Sequence, residues 1–134
     1  GLFQSEVSWH QAAPDGDGHA GRNILTVKVA DTYATRAAQC AESVTRELAA
    51  ASALDLGDVG LLVATASVPG FAGALAERLG ISAGRVASLP GSLAGAHTAA
   101  PAVALEPADL AAAGTTVFVS AGAGITVVAA LYRG

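Results

Sequence analysis

LDLGDVGLLVATASVPGFAGALAERLGI, Leu54 to Ile81, sets the architecture. Asp58 leads into VGLLVA, Val59 to Ala64, a continuous apolar run. Such runs are typical of strands buried on both faces of a helix-covered sheet. Thr65 to Val68 is the connection, and Pro69 suits the first turn of a helix. Phe71, Leu75 and Leu79 then recur every four residues, and Gly80 supplies a stop. The segment is therefore a buried strand followed by an amphipathic helix.

Upstream, Asp31 is the expected N-cap of a long helix. Tyr33, Ala37, Cys40, Val44 and Leu48 fall on one face of it, while Arg36, Glu42, Arg46 and Glu47 lie mainly elsewhere. The helix is expected to end in the alanine run before Leu54. Cys40, on the apolar face, is expected to be a buried structural thiol. Before the helix, Leu2 to Trp9 reads as a strand, Pro14 to Gly18 as a turn, and Leu25 to Val29 as a second extended run.

Downstream, Arg85 to Leu89 reads as a short strand. GSLAGAHTAAP, small and flexible, follows it. Ala102 to Ala113 is a short helix, with Pro107 marking a break or a new start. Thr115 to Ser120 is a strand of β-branched and aromatic residues, residues 121–124 (AGAG) a tight turn, and Ile125 to Arg133 a last strand. The C-terminus is thus a hairpin. The whole pattern is α/β, with helices layered on a mixed sheet, in one domain spanning residues 1–134.

The composition of the 134 residues narrows the function classes. Hydrophobic residues make up 52% and charged residues 13%, too apolar for disorder. So little charge implies that part of the surface is buried against another chain. The net charge of −4 argues against nucleic acid, which demands a basic footprint. Cys40 is the single cysteine, so no internal disulfide forms, consistent with a reducing, cytoplasmic setting. No uninterrupted apolar stretch of about 18 residues suggests a membrane span. The opening GLFQSEVSWHQ lacks the basic start and apolar run of a secretory signal, and begins in mid-strand as a cut or processed end would.

Three stretches together resemble the C-terminal half of the thiolase superfamily's type III β-ketoacyl-acyl-carrier-protein synthases. Leu54 to Ile81 is similar to the family segment in which an aspartate-led buried strand runs into His-Gln-Ala-Asn and then a helix ending in Leu-Gly. AGAHTAAPAVAL, Ala94 to Leu105, is similar to the Gly-Asn-Thr-Ser-Ala-Ala loop and the helix after it. TTVFVSAGAGITVVAALYRG, Thr115 to Gly134, resembles the last strand pair, whose Gly-x-Gly turn lies beneath the active site. The resemblance implies half of a thiolase-like fold. In that family the first half carries a nucleophilic cysteine, and the second half carries groups that polarise the thioester carbonyl.

The departures from the family matter as much. The family's first histidine falls on Thr65 and the asparagine of the same motif on Val68. A threonine hydroxyl donates one hydrogen bond but is no general base near neutral pH. The second-site asparagine falls near His97, where elongating ketosynthases carry a histidine. The resemblance therefore implies His97 as the residue for chemistry, deprotonating an acceptor. The plain alternative is a loop histidine bonded to backbone. Thr65 and Ser67 are candidates for an acyl pocket or for helix capping. Gly122 and Gly124 are implied as close-approach or oxyanion-hole residues. The Gly-Ala-Gly turn has neither the spacing nor the following helix of a phosphate loop. His10 and His19 are too few for a metal site and read as surface residues.

The resemblance implies an acyltransferase that moves an acyl group from a carrier-protein or coenzyme A thioester to an acceptor. Loss of the histidine–asparagine pair argues against ordinary malonyl condensation. The implied partners are an N-terminal thiolase-like half or companion chain, together with acyl carrier protein or acyl-coenzyme A. No cofactor is implied beyond the donor's phosphopantetheine arm. A catalytically silent partner subunit is the second expectation, and a plain binding module the third.

Overall fold

The structure, a computed structural model, describes residues 3–10, 22–66, 68–87, 89, 99–106, 108–122 and 124–134. The chain divides into two compact units, residues 1–33 and 34–134. In the first, β1 (Phe3–His10) pairs antiparallel with β2 (Arg22–Val29), with Phe3 opposite Val29 and His10 opposite Arg22. The expected turn at residues 14–18 lies outside the described residues.

Helix α1 (Tyr33–Ala51) begins two residues after Asp31, past a turn in which the Tyr33 N–H donates to the Ala30 carbonyl. Its buried stripe follows the expected one only at its start, where Tyr33 and Ala37 are buried. Ala37, Ala38, Ala41, Thr45 and Ala49 are buried, Val44 and Leu48 are half-buried, and Cys40 is exposed. Steps of four residues turn a stripe by about 40° each, so the run through Ala37, Ala41, Thr45 and Ala49 winds away from Cys40. The Thr45 hydroxyl donates to the Ala41 carbonyl at 2.7 Å, which lets a polar residue sit inside that stripe. The buried-thiol expectation for Cys40 is thereby corrected.

The second unit is built on a four-stranded mixed sheet in the order β4-β3-β5-β6. Its strands are β3 (Leu61–Ala66), β4 (Val86–Ala87), β5 (Thr115–Ala121) and β6 (Val127–Arg133). β3 runs parallel to both β4 and β5, and β6 returns antiparallel to β5 as the C-terminal hairpin. Helix α2 (Phe71–Leu79) links β3 to β4. It starts two residues beyond Pro69, which lies outside the helix. Between β4 and β5 the helical segment is divided, as a break or new start at Pro107 implies, into α3 (Ala100–Leu105) and α4 (Leu110–Ala113). Asp109 caps α4, accepting from the Ala112 N–H at 3.0 Å, which accounts for the new start after Pro107.

The two crossovers step in opposite directions across the sheet. Their right-handedness therefore puts α2 and α3 on opposite faces. The α3 face holds Val63, Ala87 and Ala104, with Leu61, Leu89, Leu105 and Phe118 packed around them. Alternation sends Leu62, Ala64, Val117 and Val119 to the other face, and all four are buried. Each fully buried leucine or valine there contributes about 2 kcal/mol. Gly60 sets the strand's entry. Its N–H donates to the Thr115 carbonyl at 2.8 Å, and a Cβ at this position would collide with the Ala113 carbonyl. No helix among the described residues is long and apolar enough to cross a membrane.

Candidate active site at the carboxyl ends of the parallel strands

Because β4, β3 and β5 run the same way, all their outgoing connections leave from one edge of the sheet. In open α/β sheets that edge is where ligands bind. Thr65 is the next-to-last residue of β3, and Ser120 the next-to-last of β5. They are register partners, so their side chains share a face, above Val63 and Phe118. Thr65 is 5% exposed, whereas Ser120 is open to solvent. The Thr65 Oγ1 donates to the Ser120 Oγ at 3.3 Å. A β-branched residue suits the strand, and its buried hydroxyl finds the partner that burial requires. Neither hydroxyl ionises near neutral pH, so the pair is a neutral hydrogen-bonding element.

The turn after β5 borders the same edge. The Gly122 N–H donates to the Thr126 carbonyl at 2.8 Å and closes it. Gly124 and Ile125 both lie in the left-handed region, at φ 75° and 58°. Glycine does this freely, but a β-branched residue there is an outlier, at a cost of about 1–2 kcal/mol. Strain of this kind collects at functional sites. The structure thus gathers Thr65, Gly122 and Gly124 at one edge. Ser67 and His97 lie outside the described residues. Ser120 was missed in the sequence because it reads as one more strand residue, and its partner lies 55 positions away.

Two open grooves lie elsewhere. One, about 720 Å³, is lined by the end of α1 and the turn Leu56–Asp58, with Arg46 and Leu79. The other, about 550 Å³, lies between the starts of α1 and α2, with Phe71 and Arg78 in its wall. Neither is lined by Thr65 or Ser120. The perturbed carboxylate is also remote from the edge. Hydrogen bonding from Arg46 foremost, and then from Arg78, holds Glu42 below the usual carboxylate range where α1 meets α2. Among the described residues no group of three or more His, Cys, Asp or Glu side chains could hold a metal. The hydroxyl pair at the carboxyl ends of β3 and β5 marks the candidate site.

Neither a family model nor a curated protein matches the sequence. Solved structures do. β-Ketoacyl-[acyl carrier protein] synthase III from Thermus thermophilus matches with a TM-score of 0.63 and 24% identity. The match covers 99% of this chain and 45% of that one. The fold is thiolase-like. The 3-oxoacyl-(acyl carrier protein) synthase III from Pseudomonas aeruginosa matches with a TM-score of 0.59 and 18% identity, over 98% of this chain and 43% of its own. The enzyme of the same name from Aquifex aeolicus gives 0.53 and 18%, over 99% and 44%. This thiolase-like chain therefore spans less than half the length of the structures it matches. Its mixed sheet, covering helices and terminal hairpin are the elements that the sequence pattern predicts.

Proposed function

We propose that this chain is the C-terminal part of a ketosynthase III-like acyltransferase, with residues 1–134 acting as one half-domain. It moves an acyl group from a carrier-protein or coenzyme A thioester to an acceptor. The nucleophile comes from an N-terminal thiolase-like half or a companion chain, in a cytoplasmic setting, with no cofactor beyond the phosphopantetheine arm of the donor. The observation that carries this reading is the meeting of Thr65, Ser120 and the strained Gly122–Ile125 turn at the carboxyl edge of a thiolase-like sheet. An open surface supports the missing half. β6 is an edge strand, with Val128 61% and Tyr132 45% exposed.

The chemistry then divides between two polypeptides. The companion's thiol attacks the thioester carbonyl, the carbon–sulfur bond to the carrier breaks, and the released thiolate takes up a proton. The acceptor's O–H, N–H or S–H next attacks the acyl-enzyme, His97 removes its proton, and the companion's thiol is regenerated. A non-catalytic partner subunit is the second reading. It is favoured by Thr65, a residue without base character where the family carries a histidine. Intact-mass measurement of the natively purified material after incubation with acetyl-coenzyme A tests the proposal. A co-purifying chain that gains 1 acetyl group per site (roughly one per assembly, as covalent catalysis requires), with turnover lost in His97→Ala, supports it. Acylation and turnover untouched by His97→Ala favour the silent partner. No second chain and no acylation defeats both.

A further inference from the structure

We propose that Ser120 binds substrate directly, its hydroxyl donating a hydrogen bond to the carbonyl oxygen of an acyl thioester, with Thr65 positioning it. The inference rests on the acyl-transfer reading above and adds a residue to that site. Its starting point is an asymmetry in the hydroxyl pair. Thr65 is buried, so its single hydrogen must be used inside the protein, and Ser120 Oγ is the acceptor at 3.3 Å. Ser120 is exposed, and among the described residues Thr65 is its only side-chain partner. A hydroxyl that accepts one bond still has its own hydrogen to give. That hydrogen is on offer at the edge where the connections from β3, β4 and β5 depart.

The choice of a carbonyl follows from what the pair lacks. Among the described residues no base is bonded to Ser120, and its hydroxyl stands there as a neutral donor. As neutral donors the hydroxyls suit a polarised carbonyl oxygen. Both residues sit on inner strands of the sheet, so the donor is fixed before the ligand arrives, the condition under which such groups work best. The 3.3 Å separation is longer than the usual hydroxyl pair at about 2.7–2.8 Å. A carbonyl drawing on the Ser120 hydrogen polarises the oxygen behind it and strengthens the pair.

The test compares two probes on the natively purified assembly by calorimetric titration. These are the methyl ketone analogue of acetyl-coenzyme A, in which a methylene replaces the thioester sulfur so that no acyl group can be transferred, and S-ethyl-coenzyme A, a thioether of similar shape without the carbonyl. The wild type is expected to bind the ketone about tenfold more tightly than the thioether. Ser120→Ala abolishes that preference and leaves thioether affinity unchanged, which also shows the variant folded. Ser120→Thr keeps the preference, and Thr65→Val reduces it. Because hydroxyls do not titrate, the preference is level between about pH 6 and 8. A preference unaltered by Ser120→Ala, or absent in the wild type while both probes bind, overturns the assignment and leaves the acyl-transfer reading standing. Failure of both probes to bind overturns the two together.

Discussion

The Leu54 N–H reaches back to the Ala49 carbonyl at 2.9 Å, folding the end of α1 over Ala53. This is a left-handed helix stop, with Ala53 at φ 48° in the place glycine usually takes. An alanine there bears a Cβ penalty that glycine escapes, offset in part by glycine's greater chain entropy. Ala53→Gly is therefore expected to stabilise the protein by about 0.5–1 kcal/mol. The denaturant midpoint should rise; a fall would mean that the Ala53 methyl packs in a way the geometry does not suggest.

Gly60 predicts the opposite sign. Its N–H is tied to the Thr115 carbonyl, and the Ala113 carbonyl occupies the space a side chain would need. Neither neighbour is the end of a flexible side chain, so the backbone itself must move. Gly60→Ala should cost about 2 kcal/mol or more. A thermal midpoint close to wild type would show that the junction between α4 and β5 yields easily.

Thr116 is fully buried, and among the described residues its Oγ1 has no hydrogen-bond partner. It lies on the face shared with Leu61 and Phe118. An unsatisfied buried hydroxyl costs about 1–3 kcal/mol, and valine has the same shape without it. Thr116→Val should raise stability by about 1 kcal/mol, read as a shift of the urea midpoint at constant slope. Lost stability would point to a bound water or ligand atom at that oxygen.

Glu42 gives a pH signature. Arg46 Nη2 at 3.0 Å and Arg78 Nε at 2.8 Å flank its carboxylate and lower its pKa in the folded state. A depressed carboxylate stabilises the fold above its unfolded pKa, and that contribution is lost as pH falls through the folded value. Wild type should therefore be more stable than Glu42→Gln at neutral pH. The gap should close on acidification below about pH 4, and shrink in high salt because the groups are exposed. A gap that persists at low pH would assign the effect to packing instead.

The sequence made the elements legible where pattern and local chemistry agree. The buried strand before α2, the four-residue repeat from Phe71 to Leu79 and the terminal hairpin all appear, although β3 runs on through Thr65 and Ala66, which the pattern assigns to the connection, and β6 starts at Val127 rather than Ile125. It failed where the deciding contact is distant or the side chains are small. The buried stripe of α1 is written in alanines and a threonine, which carry little hydrophobic signal, so Cys40, Val44 and Leu48 drew the eye to the wrong edge. Ser120 could be found only from its register with Thr65, which nothing in either strand announces. The thiolase-like fold was thus readable, and so were Thr65, Gly122 and Gly124 as candidates, while Ser120 was not.

The proposed companion chain predicts a specific weakness on β6. Val128 and Tyr132 are four residues apart on one strand, so they share a face, with Ala130 between them. All three are exposed, while Val127, Ala129 and Leu131 on the other face are half-buried. A charge at Val128 or Tyr132 therefore meets little protein within this chain and should change its own stability by no more than about 0.5 kcal/mol. Against a companion's apolar layer the same charge is desolvated and unpaired, at a cost of several kcal/mol, or roughly a hundredfold or more in association. Val128→Asp combined with Tyr132→Asp should thus leave circular dichroism and the thermal midpoint of the isolated chain unchanged while abolishing co-purification of the second chain. Sedimentation of the assembly reads the difference. An intact assembly in the double variant would place the companion elsewhere, whereas an unfolded variant would mean that β6 is packed within this chain more tightly than its exposure indicates.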